Sequence, residues 1–315
     1  MSLEVIEANG LVTVQDAGRR GWRQFGVPGS GPMDFFAYQA ANALVGNPTE
    51  SAVVEIGLGD VMFQAIQNCV VAITGAGYRL SIYMWELPLW SSFFVRAGWK
   101  IRLNKMNTGM WAYLAVVGGV QTQPVLDSRS TYLRGGFGGL EGRKLKAGDG
   151  IPTGISSHLS YEVAARTLPE EARPNYDPHP IIDVIPGPQM NYFIKESIET
   201  FFSSEYSISL RSDRMGYRLE GPPLSHRGRP ELISEGLTYG AIQVPADGQP
   251  IVMMADCPTT GGYPKIGVVA SADLSLIAQC VPGKSKIRFR QTTVAKAQNK
   301  FRALLNGLDR IVEEE

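Results

Sequence analysis

Cysteine and histidine are scarce, with three of each in 315 residues. Cys69, Cys257 and Cys280 are odd in number and far apart, which argues against a disulfide framework or a thiolate zinc cluster and fits reduced thiols. His158, His179 and His226 are equally scattered. None has a second ligand at helical spacing, so neither a histidine metal site nor a Ser–His pair gains support. Net charge is missing too: 30 basic residues balance 30 acidic ones, leaving no long-range field to gather nucleic acid or an anionic membrane. The best apolar run, residues 110–117, is far shorter than the roughly 20 residues of a membrane helix. Acidic Glu4 and Glu7 stand where a secretory leader would be basic. The expectation is a cytoplasmic protein with no metal site of its own that binds neither nucleic acid nor membrane.

Glycine is plentiful, at 35 residues, and is joined by 20 prolines. These leave few stretches free of helix breakers and favour short strands with tight turns, so the expected fold class is mostly β. Pro169, Pro174, Pro178 and Pro180 sit among charged residues and resist both helix and ladder. They mark a linker at residues 168–180 between an N-terminal domain, 1–167, and a C-terminal domain, 181–315. Runs rich in β-branched and aromatic residues at 70–74, 101–103, 111–117, 181–185, 242–244, 251–255 and 287–289 predict strands of two small barrels or sandwiches.

Three short helices are expected. The first is capped by Asp34, turns Phe36, Ala37, Ala40, Ala41 and Leu44 inward, and stops at Gly46. A second covers 191–202. The third, 294–305, docks through Ala297, Phe301 and Leu304. A faint likeness between residues 98–103 and 283–289, each a turn feeding a strand, agrees with two domains of related design.

Standard cofactor motifs are incomplete. Gly283-Lys284-Ser285 resembles the end of a phosphate-binding loop, but Ala278 occupies the place of its first glycine. In Gly135-Gly136-Phe137-Gly138-Gly139 the third glycine of a dinucleotide loop falls on Glu141, which leaves a flexible surface loop as the reading. Lys105-Met106 lacks the flanks of a biotin attachment site, so no biotin is attached to this chain.

What remains is a set of polar residues among glycines. Residues 13–19 and 26–34 form one Gly-rich region, where Ser30 could donate to an oxyanion or phosphate; taken alone, the region is better read as two tight turns capped by Asp16 and Asp34. Asp127-Ser128-Arg129-Ser130-Thr131 sets three hydroxyls around an arginine whose fork suits a carboxylate, or is a solvated turn. In Asp213-Arg214 the neighbours point opposite ways on a strand, so one can pair internally while the other meets a ligand. Glu235, with Gln243 on the following strand, is a candidate buried base or a turn residue. In residues 256–265, Thr259, Thr260, Gly261, Gly262, Tyr263 and Lys265 read as an anion-binding loop with Lys265 as point charge.

Taken in order, residues 13–16, 26–34, 46–48, 128–131, 187–189, 212–216, 231–236 and 259–264 resemble the signature of the family of the 5-oxoprolinase C subunit, also described as KipA-like, allophanate hydrolase subunit 2 or biotin-dependent carboxyltransferase. The resemblance runs from Val5 to about Phe289. It implies a cyclophilin-like β-barrel in each half, partnership with a KipI-like B subunit, and a separate A subunit for the full reaction. That reaction is ATP-dependent opening of the lactam of 5-oxoproline to glutamate, with this chain inactive alone. A lactam carbonyl is a poor electrophile, and phosphorylation of its oxygen by ATP, with Mg2+, creates a leaving group.

On that reading Lys265, Thr259, Thr260 and their glycines hold phosphate, Arg129 or Arg214 holds the substrate carboxylate, and Asp213 or Glu235 is the base or magnesium ligand. Two departures stand out: Asp127 where relatives commonly have glycine, and Cys257-Pro258 where a basic or polar pair is usual. Two other functions fit the resemblance. One is a carboxyltransferase acting on urea or another small amide with biotin carried by a partner; the other is a regulatory protein that binds a KipI-like kinase inhibitor.

Overall fold

Strands form along the β-branched and aromatic runs, among them Cys69–Gly75, Lys100–Lys105, Trp111–Val116, Ile181–Pro186 and Lys286–Gln291. The structure is a computed structural model that describes residues 1–154 and 163–313; His158 lies outside them. The fold is mostly β, and the chain divides into two compact units. One contains Met1–Arg19, Ser30–Arg173 and the residues from Leu305; the other contains Arg20–Gly29 and Pro174–Leu304.

The first unit holds two sheets. Six strands run in the order Gly150–Ile151, Leu3–Ala8, Val61–Ala65, Lys100–Lys105, Tyr78–Ile82, Trp85–Leu87. Seven run in the order Leu11–Gln15, Val53–Gly57, Trp111–Val116, Cys69–Gly75, Ser91–Val95, Arg166–Thr167, Val312–Glu313. Both sheets contribute to one apolar core that includes Val5, Phe63 and Leu103 from the first and Val12, Val54, Ile73 and Leu114 from the second. Alternation of side chains along each strand puts these residues on one face.

The helix Phe35–Leu44 begins at Asp34, whose carboxylate accepts from the Ala37 N–H at 3.0 Å. It buries Phe36, Ala37, Ala40, Ala41 and Leu44, and the Thr74 hydroxyl donates to the Ala37 carbonyl at 2.6 Å. Ahead of it, the Met33 N–H donates to buried Glu55 (2.7 Å), the Asp34 N–H to the Tyr113 hydroxyl (2.7 Å), and that hydroxyl to Glu55 (2.8 Å). Full burial and then the Glu55 charge push the Tyr113 phenol well above its ordinary range. The second half of the Gly-rich run 26–34 is thereby stapled to the seven-stranded sheet.

The second unit is a closed barrel of seven strands: Ile181–Pro186, Lys265–Val269, Ala241–Gln243, Ile251–Met253, Gly216–Glu220, Glu205–Ile208, Lys286–Gln291. Closure leaves no free sheet edge. Phe201, from the helix Lys195–Ser203, stacks on Phe289 with centroids 4.4 Å apart. This helix starts four residues later than its apolar spacing predicts, because residues 190–192 form a 3-10 turn and Phe193 bridges to His226.

The terminal helix Val294–Leu305 buries Ala297 alone, a narrower apolar seam than expected. Charge completes its docking: Lys300 reaches Asp183 at 2.7 Å and Asp273 at 2.6 Å, and Arg290 reaches Asp183 at 2.7 Å. Burial opposes charge on both acids. At Asp183 the bonds from Arg290 and Lys300 outweigh it and hold the carboxyl below its ordinary value; at fully buried Asp273 burial wins and the carboxyl is raised.

One loop departs from its expected character. Gly138 and Gly139, within the run read as a flexible surface loop, are buried with positive φ of 74° and 57°. The Gly139 N–H donates to the Arg129 carbonyl at 2.8 Å, and a side chain at Gly138 would collide with the Ser130 carbonyl. Glycine serves close backbone approach there.

Candidate functional site

A short ribbon in the second unit, Glu235–Gly236 paired with Thr260–Gly261, carries the densest group of expected site residues. Its ends are tied by the Leu237 N–H donating to the Thr259 carbonyl (2.9 Å) and the Leu232 N–H to the Gly262 carbonyl (2.8 Å). Lys265 opens the next barrel strand and is buried, and its Nζ lies 2.5 Å from Glu235 Oε1. Gln189 Nε2 donates to the same oxygen at 2.7 Å, while its Oε1 accepts from the Lys265 N–H at 3.3 Å. One carboxylate oxygen of Glu235 is thus held by two donors, and the residue lines an adjoining cleft of about 690 Å³. A carboxylate oriented through one oxygen is suited to accept a proton or hydrogen bond at the other.

Glycine geometry permits this approach. A side chain at Gly187 would overlap the Lys265 carbonyl, and one at Gly261 would overlap the Gln243 amide. Gln243 is buried and donates to the Tyr263 carbonyl at 3.1 Å, so it supports the 261–263 turn from behind. Thr260 and Tyr263 are exposed, and Thr259 and Gly262 are half-buried. Arg23 braces the ribbon: its Nη2 donates to the Leu237 carbonyl at 2.6 Å and the Pro258 carbonyl at 3.2 Å.

Other expected site residues have work elsewhere. Arg214, expected as a substrate clamp, is buried and forms a two-bond pair with buried Asp256, Nε to Oδ2 at 2.8 Å and Nη2 to Oδ1 at 3.1 Å, so its fork is engaged within the protein itself. Asp213 is exposed and accepts from the N–H groups of Met215 (2.8 Å) and Gly216 (3.2 Å), so it caps its own turn instead of standing as a base. Ser130 is buried in the first unit. Its hydroxyl and that of Ser128 each donate to Asp16 Oδ1 at 2.6 Å, consuming the hydroxyls read as ligand donors.

Arg129, in the same unit, bonds Gln121 at 2.9 Å. Asp127, two residues earlier, has a φ of +61°, which accounts physically for glycine being suited to that place. Ser30 also sits at positive φ, +54°, with a buried hydroxyl that has no partner among the described residues.

Gln189, Arg227 and Arg229 line the cleft without having been expected there. Gln189 was within reach, since Gly187-Pro188-Gln189 is one of the ordered motifs. No three His, Cys, Asp or Glu residues come together as a metal cage among the described residues. No helix among them is long and apolar enough to cross a membrane.

The second unit is thus a closed barrel with a polar cleft beside a glycine-built ribbon, an arrangement suited to binding a small polar ligand. The chain belongs to the family described as carboxyltransferase domain, subdomain A and B, which matches residues 25–291. It is 40% identical over 301 residues to the 5-oxoprolinase C subunit of Escherichia coli (strain K12), covering 94% of this chain and 93% of that protein. Identity to the 5-oxoprolinase C subunit of Haemophilus influenzae (strain ATCC 51907 / DSM 11121 / KW20 / Rd) is 35% over 315 residues, 99% of each. The crystal structure of Kluyveromyces lactis urea carboxylase superposes with a TM-score of 0.89 at 28% identity, over 100% of this chain but 30% of that one.

Proposed function

We propose that the chain is the C subunit of an ATP-dependent 5-oxoprolinase, opening the lactam of 5-oxoproline to L-glutamate together with a KipI-like B subunit and an A subunit. The observation that carries this reading is the near end-to-end match to the Escherichia coli protein, 94% of one chain against 93% of the other. Within the assembly this chain contributes the cleft beside Glu235. ATP, with Mg2+ on its phosphates, would phosphorylate the lactam oxygen and release ADP; water adding at the activated carbon would let the C–N bond break with the nitrogen protonated, and hydrolysis of the resulting acyl phosphate would release phosphate and leave glutamate. Glu235 accepts a proton from the attacking water, while Lys265 and Gln189 hold its Oε1 and aim the carboxylate. Thr259, Thr260 and the adjoining glycines offer donors to an oxyanion.

The test is glutamate formation from 5-oxoproline and ATP by the three purified subunits together. Glu235→Gln should lower turnover by about 10²-fold or more without dissociating the subunits. Turnover equal to wild type would remove Glu235 from the chemistry, and no glutamate from the correctly folded complex would overturn the reading.

A second reading is favoured by the TM-score of 0.89 to urea carboxylase: carboxyl transfer to urea or another small amide from biotin on a partner. Urea-dependent release of carboxyl from a carboxybiotinylated carrier, with no glutamate formed from 5-oxoproline, would select it.

A further inference from the structure

With Arg214 committed to Asp256, the cleft beside Glu235 takes its positive charge from Arg227 and Arg229, which both line it and are both exposed. Neither guanidinium bonds a carboxylate among the described residues. Glu235 is paired with Lys265, so Glu231 is the one acid of the lining left to set against two arginines. The local balance is therefore positive in a chain whose overall charge is zero.

The segment carrying them is anchored at both ends. The Arg227 N–H donates to the Tyr192 carbonyl at 2.8 Å, His226 bridges to Phe193, and His226 Nε2 lies 3.1 Å from the Val244 carbonyl. Beyond Arg229, the Leu232 N–H is held by the Gly262 carbonyl. Arginine presents a planar fork of donors that fits a carboxylate or phosphate edge, and partial enclosure strengthens the attraction.

We propose that Arg227 and Arg229 form an oxyanion clamp whose ligand is the carboxylate of the cyclic-amide substrate, held so that the amide ring lies against Glu235. The proposal rests on the 5-oxoprolinase reading for its ligand and on the cleft geometry for its residues.

The experiment measures binding to the full chain by calorimetry, with 5-oxoproline, its decarboxylated counterpart 2-pyrrolidinone, and inorganic phosphate as probes. Wild type should bind 5-oxoproline at least about tenfold more tightly than 2-pyrrolidinone. Arg227→Met and Arg229→Met should each weaken 5-oxoproline about tenfold, the value of one charge-assisted bond, and leave 2-pyrrolidinone unchanged. Arg227→Lys should recover part of the loss. Both arginines are exposed, so the variants should keep the wild-type circular dichroism.

If 5-oxoproline binds the variants as tightly as wild type, the clamp is overturned while the functional reading stands. Arginine-dependent binding of phosphate without any of 5-oxoproline would keep the clamp and overturn the substrate. Absence of binding by either anion overturns the clamp, and glutamate formation by the complex of all three subunits then judges the reading separately.

Discussion

Replacing Arg214 by methionine tests whether this arginine belongs to the scaffold or to a ligand. Its side chain is 6% exposed and that of Asp256 is 8% exposed, and two bonds of 2.8 and 3.1 Å join them. The same contact ties two turns together, because the Asp256 N–H donates to the Arg214 carbonyl and the Met254 N–H to the Met215 carbonyl. Removing one member of such a pair strands the other charge away from water and costs about 3–5 kcal/mol. At a urea dependence of about 2–3 kcal/mol per molar, the unfolding midpoint of the second unit should fall by roughly 1–2.5 M.

Trp22 lies in that unit and the other four tryptophans do not, so a Trp22→Phe control isolates its fluorescence transition. Arg214→Met combined with Asp256→Leu should recover a substantial part of the loss, since no charge is then left unpaired. A midpoint shift in Arg214→Met below about 0.3 M, or a double variant whose loss equals the sum of the singles, would refute the reasoning and return Arg214 to the ligand candidates.

The thiols should be inert in the native protein. Burial pushes Cys69 and Cys280 up to about 12 and raises Cys257 as well, so at pH 8 the thiolate fraction of the first two is about 10⁻⁴. A maleimide should label none of the three until urea unfolds the chain, and rapid native labelling would contradict their burial. The acid limb of stability should depend on Asp183. Its carboxyl is held below the ordinary 3.8, so its contribution is full above that value and is lost as pH falls through the lower native one. Asp183→Asn should be less stable than wild type at pH 7 by about 1–2 kcal/mol, with the gap closing as pH falls below the ordinary 3.8; a gap independent of pH in thermal unfolding would count against the ion cluster.

The strands and the Asp34-capped helix were legible because their signals are local: β-branched runs, a cap three residues from its donor, a glycine at the end. Glu235, Lys265, Gln243 and the Thr259–Thr260 pair were legible as polar residues embedded in glycine, and the fold gathers them around one ribbon. Partners distant in sequence were not legible. Nothing near Arg214 indicates that Asp256 will claim it from 42 positions away, and Ser130 looks like a free hydroxyl until Asp16, 114 positions earlier, is brought beside it. Backbone parity at Asp213-Arg214 said that one residue would turn inward without saying that the other would cap its own turn. Arg227 and Arg229 carried no motif, and only the fold, which brings residues 227–233 and Glu235 to one cleft, gives them something to line.

The ten residues from Arg20 to Gly29 belong to the second unit although the chain on both sides of them belongs to the first. With Arg23 they carry a brace on the ribbon that presents Glu235. A single cut between Arg173 and Pro174 therefore cannot release a finished second half, because the fragment from Pro174 onward would keep Glu235, Lys265 and both cleft arginines but lose the strut beneath them. Supplying residues 20–29 as a separate peptide should restore order to the ribbon. The gene is thus one that could be split at that point only if the early segment travelled with the late one.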